Sequence, residues 1–157
     1  GYVASTLKYA DDAGIAAMAD DVEKMTDVND VARRKARYAK AGVLTRQGHE
    51  ADAMKLYTLL SAEVKSAEGA EARYRLIEAE FKAGNNDKAE KMVYELSDSK
   101  TPQNYWLAKA FILLGDIYMS RGDAFQARAT YQSVADGYSP ADDGIVEEAK
   151  SKIAKMN

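Results

Sequence analysis

Cysteine is absent from the 157-residue chain, and histidine occurs once, at His49. There is therefore no disulfide framework, iron–sulfur cluster or thiol chemistry, and a lone histidine cannot build an imidazole metal site. Long apolar runs are missing too: the run from Phe111 to Leu114 falls far short of the roughly 18 residues that a membrane span requires. There is no large excess of either charge, with 22 basic and 25 acidic side chains and a net charge of −3. That balance argues against a general nucleic-acid or membrane-surface binder. Only two prolines and ten glycines interrupt the chain, while alanines recur at helical spacing through most of it. Such a composition predicts an all-α fold. At this length the chain is one domain or a segment of a longer one, large enough to bury a core without a covalent or metal staple.

What is present is an internal repeat. Three segments align on a glycine followed five residues later by an alanine: Gly48 with Ala53, Gly84 with Ala89, and Gly122 with Ala127. Their glycines lie 36 and 38 residues apart. Each glycine can close one helix, the polar residues after it can cap the next, and the alanine sits where the second helix must approach the first closely. The predicted unit is a helical hairpin.

This period and pattern resemble the tetratricopeptide repeat. The copy starting at Ala108 carries nearly the whole signature, with Phe111, Leu114, Gly115, Tyr118, Gly122, Ala127, Tyr131 and Pro140 in their expected places. The copy starting at Ala70 keeps Leu76, Gly84, Ala89 and Val93, with Pro102 at the same offset as Pro140. The copy starting at Arg34 keeps Ala41, Leu44, Gly48, Ala53 and Tyr57 but has Arg37 and Lys40 where apolar residues are usual. Over residues 30 to 140 the string is similar to the C-terminal part of long tetratricopeptide proteins of the Bacteroides group. That resemblance implies an exported, periplasmic, multi-repeat protein with no enzymatic activity assigned.

The predicted architecture is a right-handed α-solenoid with helices near 2–9, 12–26, 29–47, 50–65, 68–83, 86–97, 102–121, 123–137 and 142–156. Residues 1–33 form a partial repeat, 34–69, 70–107 and 108–141 are repeats, and 142–157 is a capping helix. Asp142 or Asp143 can cap that last helix, whose stripe of Ile145, Ala149, Ile153 and Met156 is apolar. Counting back one period puts Ala10 to Asp12 in the turn of an earlier repeat whose first helix would begin before Gly1. The chain is therefore expected to be a segment of a longer array.

The resemblance places a partner groove on the first helix of each repeat. Projected onto this sequence, the groove residues are Lys35, Tyr38 and Arg46; Glu71, Tyr74, Glu78, Phe81 and Lys82; and Lys109, Ile112, Asp116 and Met119. Aromatics there offer rigid contact area, and charges offer register; the same aromatics can equally pack between helices. One subgroup of these repeats clamps a partner's terminal carboxylate with asparagines and cations. Here its asparagine position holds Gly42, Glu78 and Asp116, and the two carboxylates argue against such a clamp.

Other candidates read as structural. His49 falls in an inter-helix turn, where a general base lacks a positioned substrate. The pairs Asp11-Asp12, Asp20-Asp21 and Asp142-Asp143 lack calcium-loop spacing. Residues 11 to 30 are acidic and 33 to 40 basic, so the two helices are expected to pair by charge. Trp106 reads as core before hot spot. The functional expectation is a non-catalytic scaffold that binds a peptide or protein, with no cofactor, metal or nucleic acid. The alternative is a self-associating or spacer module using an apolar N-terminal end.

Overall fold

Three glycines one repeat apart end three helices in the same way. Gly48, Gly84 and Gly122 adopt φ of 80°, 83° and 76°, the left-handed region where only glycine is unstrained. In each case the glycine N–H donates to a carbonyl three residues back, that of Thr45, Phe81 or Met119, at 3.0 to 3.1 Å. The next N–H donates to the carbonyl five residues back, that of Leu44, Glu80 or Tyr118, at 2.8 to 2.9 Å. This is the Schellman ending, which satisfies carbonyls that would otherwise be orphaned.

The structure, a computed structural model, describes residues 1–157. It consists of nine helices and no strand: α1 Tyr2–Tyr9, α2 Asp12–Lys24, α3 Asp30–Arg46, α4 Glu50–Leu60, α5 Ala67–Lys82, α6 Asn86–Asp98, α7 Asn104–Ser120, α8 Ala124–Gly137 and α9 Ile145–Ala154. Each helix packs against the next in the chain. The odd-numbered helices also pack in sequence from α1 to α9, whereas no even-numbered helix packs on another.

The repeat pattern explains the close approaches. Ala53, Ala89 and Ala127 are at most 1 % exposed, each letting the second helix of a hairpin settle against the first. In the last hairpin Gly115 does the same: a Cβ there would lie 2.2 Å from the Tyr131 ring. Polar bonds reaching one repeat along the chain join neighbouring hairpins. Arg34 donates to Glu68 at 2.9 Å, the Tyr38 hydroxyl to Glu71 at 2.6 Å, Asn86 to Ser120 at 2.9 Å and Lys109 to Glu148 at 3.2 Å.

Two helix ends differ from the sequence reading by three residues or more. Helix α4 stops at Leu60 rather than continuing to 65, because the chain there turns under α5. A Cβ on Gly69 would lie 1.9 Å from the Glu63 carbonyl oxygen, and the Val64 carbonyl accepts from the Thr101 hydroxyl at 2.8 Å. Helix α9 starts at Ile145 rather than 142, with Gly144 at φ 94° in the capping position in place of either aspartate; the Asp143 carboxylate accepts the Ile145 N–H at 3.1 Å. The charge expectation holds: Arg33 and Arg37 of α3 reach Glu23 of α2, Lys40 reaches Asp20, and Arg46 reaches Asp12.

Candidate functional site

Helices α3 and α5 run side by side with α4 behind them, and a cleft of about 630 Å³ opens along this seam. Five residues of the projected groove line it: Tyr38 and Arg46 from α3, and Glu71, Glu78 and Lys82 from α5. Gly42 forms part of the wall, where the absence of a side chain leaves room; a Cβ would meet only the Arg46 guanidinium, at 3.2 Å.

The cleft carries its own counter-ions. Arg75 pairs with Glu71 at 3.3 Å and with Glu78 at 3.8 Å, while its guanidinium lies 5.9 Å from the Tyr74 ring and 5.8 Å from that of Trp106. Burial opposes the Arg75 charge, but Glu71 and Glu78 outweigh it and hold the guanidinium above its ordinary range. Lys82 lies 3.7 Å from Glu78, and Arg46 is bound to Asp12 at 2.7 Å. Burial, then the bond to Glu71, pushes the Tyr38 hydroxyl above its usual range. Three basic and three acidic side chains line the cleft, counting Glu50, so it has no net field to draw a ligand of one sign. Thr45, its aliphatic hydroxyl, donates to the Ala41 carbonyl at 2.9 Å. The cleft thus sets aromatic, hydroxyl and paired charged groups side by side.

The remaining projected residues lie elsewhere. Tyr74 is 7 % exposed and packs on Trp106 in a tilted arrangement with centroids 5.7 Å apart, and Phe81 packs against the main core. Ile112 is 2 % exposed and belongs to that core, so it has no surface to offer a partner. Asp116 accepts from Lys152 at 3.0 Å and from the Tyr131 hydroxyl, and Lys109 is paired with Glu148. Helix α9 thus engages the very face of α7 that was projected as groove. Lys35 and Met119 are exposed away from the α3–α5 cleft.

Several cleft residues escaped the sequence reading. Arg75, Met54 and Tyr57 line it; of these the sequence marks only Tyr57, as a place of the repeat signature. A second cleft, also about 630 Å³, lies between α6 and α8 with Leu107, Phe111 and Leu114 of α7 among its walls; no charged side chain lines it. The available signal was Phe111 itself, at the place where the other repeats have arginine. Arg73 donates to the Ser61 carbonyl at 3.1 Å, and Arg37 pairs with Glu23. At the N-terminal end Tyr2, Met25 and Val31 are exposed around a cleft of about 590 Å³.

Five of the six paired aspartates have partners of their own. Asp11 caps α2 by accepting the Gly14 N–H at 2.9 Å, Asp21 accepts from the Tyr2 hydroxyl at 2.9 Å, and His49 occupies the exposed turn before α4. No group of three or more potential ligands converges on a metal position. No helix is long and apolar enough to cross a membrane. No family model, curated protein or solved structure matches the chain.

Proposed function

We propose that the chain is a non-catalytic protein-interaction scaffold: a right-handed α-solenoid of tetratricopeptide-like hairpins that binds an extended peptide or a helix of a partner along the α3–α5 seam. The observation that carries this reading is the convergence of Tyr38, Arg46, Glu71, Glu78 and Lys82, chosen on the repeat register, in one cleft. The identical glycine endings and the chain of odd-numbered helices support the solenoid. Paired charges along the walls supply register, and the Tyr38 and Tyr57 rings supply contact area. A partner with alternating charge is favoured over a polyanion or polycation, because each cation in the cleft already has a carboxylate beside it.

The test is a displayed-peptide selection on the chain, repeated on a Gly42→Leu, Lys82→Glu variant. Both positions lie at the cleft, and neither side chain belongs to the core. Tyr74 and Phe81 are unsuitable as probes because Tyr74 is buried in the core and the half-buried Phe81 packs against it. Peptides that bind the wild type and lose at least about tenfold in affinity on the variant, with helical circular dichroism unchanged, support the reading. Enriched peptides that bind both proteins equally contradict it.

A further inference from the structure

The third hairpin departs from its own repeat at two surface places, and both departures are apolar. Phe111 stands where Arg37 and Arg73 stand in the other repeats, and with it the α6–α8 cleft has become uncharged. Phe125 stands where the others have Ala51 and Asp87, and it is 85 % exposed. No other large apolar side chain in the molecule is so exposed. A phenylalanine this exposed, on a helix whose adjacent face walls an uncharged, tyrosine-rimmed cleft, supplies a knob and a hole on neighbouring faces. Such self-complementarity is what a two-fold interface requires.

Helical geometry fixes how two copies would meet. With 100° per residue, Phe125, Arg128, Ala129, Gln132 and Asp136 share the outward face of α8, and all five are exposed. Its only charges are one of each sign, placed symmetrically about Gln132: Arg128, which donates to the Asn157 side chain at 2.7 Å, and Asp136, which accepts from Gln132 at 2.8 Å. Laid antiparallel on a second copy about that residue, Arg128 of each copy faces Asp136 of the other. Phe125 then falls opposite Ser139, at the end of the cleft lined by Gly137, Tyr138 and Ser139. A parallel arrangement would set Arg128 against Arg128 and Asp136 against Asp136, and would pair Phe125 with Phe125 while leaving both clefts unfilled.

The geometry points to a symmetric dimer of this chain through α8, each copy seating Phe125 in the uncharged α6–α8 cleft of the other. This surface is separate from the α3–α5 seam and independent of its proposed role.

Because the chain has no cysteine, register can be read by single-cysteine crosslinking. Gln132→Cys sits on the proposed axis and should oxidise to a covalent dimer, while Lys55→Cys, exposed on α4, should not. Sedimentation of the full chain across micromolar to submillimolar concentration should show a dimer. Phe125→Ser should weaken it by at least about tenfold with circular dichroism unchanged. Arg128→Glu should weaken it also, and adding Asp136→Arg should restore it. A monomer at every concentration overturns the proposal. So does a dimer indifferent to Phe125→Ser, or one dispersed instead by Val31→Asp at the N-terminal end.

Discussion

The two ends of this helical stack are held together by different physics. From α5 onward, seventeen buried residues between Tyr74 and Ala149 form one continuous apolar core, which α9 closes with Ile145 and Ala149. Before it lie two separate clusters of five buried residues each, one around Met18 and Val22, the other around Ala53, Tyr57 and Leu60. There α2 and α3 face each other through charge, with Glu23, Asp20 and Asp12 bound to Arg33, Arg37, Lys40 and Arg46. Apolar burial is worth about 25 cal/mol per Å², whereas an exposed ion pair contributes about 0 to 1 kcal/mol and is screened by salt. The same repeat thus yields a firm C-terminal block and a softer, salt-sensitive N-terminal one. The candidate cleft lies on the seam between them, with α3 on one wall and α5 on the other.

The largest blow to this contrast should come from the C-terminal core. Ile117 is completely buried, and Ile117→Ala should cost about 3 kcal/mol, read as a lowered midpoint of chemical unfolding. Next is Gly115→Ala: its Cβ would sit 2.2 Å from the Tyr131 ring, an overpacking cost of about 2 kcal/mol. Combining it with Tyr131→Leu should give less than the sum of the single losses, because the shorter side chain removes the clash. Additive losses would show that the ring is not what excludes a side chain at 115.

Gly84→Ala should cost about 1 kcal/mol, since φ of 83° is strained for any residue with a Cβ. No neighbouring atom would be touched, so the whole effect is backbone. The smallest thermodynamic effect is Glu23→Gln, about 0.5 kcal/mol at low salt and less at high salt. Arg37 beside it holds the Glu23 carboxyl below the usual carboxylate range. Its folded-state pKa is depressed, so its contribution is present above the unfolded value and is lost as pH falls through the folded one. Acid should therefore loosen the α2–α3 contact below about pH 4, and Glu23→Gln should blunt that response in an N-terminal fluorescence or exchange probe.

The alignment of Gly48, Gly84 and Gly122 with the alanines five places on was enough to read the hairpins, because backbone chirality and close packing leave few residues able to fill those places. The α2–α3 pairing was equally legible from opposite charge blocks. The early end of α4 was not, since it depends on α5 passing over Glu63, a contact made by chain segments in space. Five of the twelve projected residues line one cleft, whereas the other seven, Ile112 among them, lie elsewhere. As the last repeat's first helix, α7 takes α9 on its free side. The uncharged α6–α8 cleft was missed because Phe111 fits the general repeat pattern; its meaning emerges only beside Arg37 and Arg73 of the same chain.

Native-state hydrogen exchange, resolved by segment at low and high salt, tests the central contrast most directly. The account predicts that amides of α6 to α8 exchange only through global opening, while α1 to α3 open at lower free energy and become less protected as salt rises. Equal protection from α2 to α8, unchanged by salt, would contradict it and show that the ion-paired and apolar ends unfold as one unit.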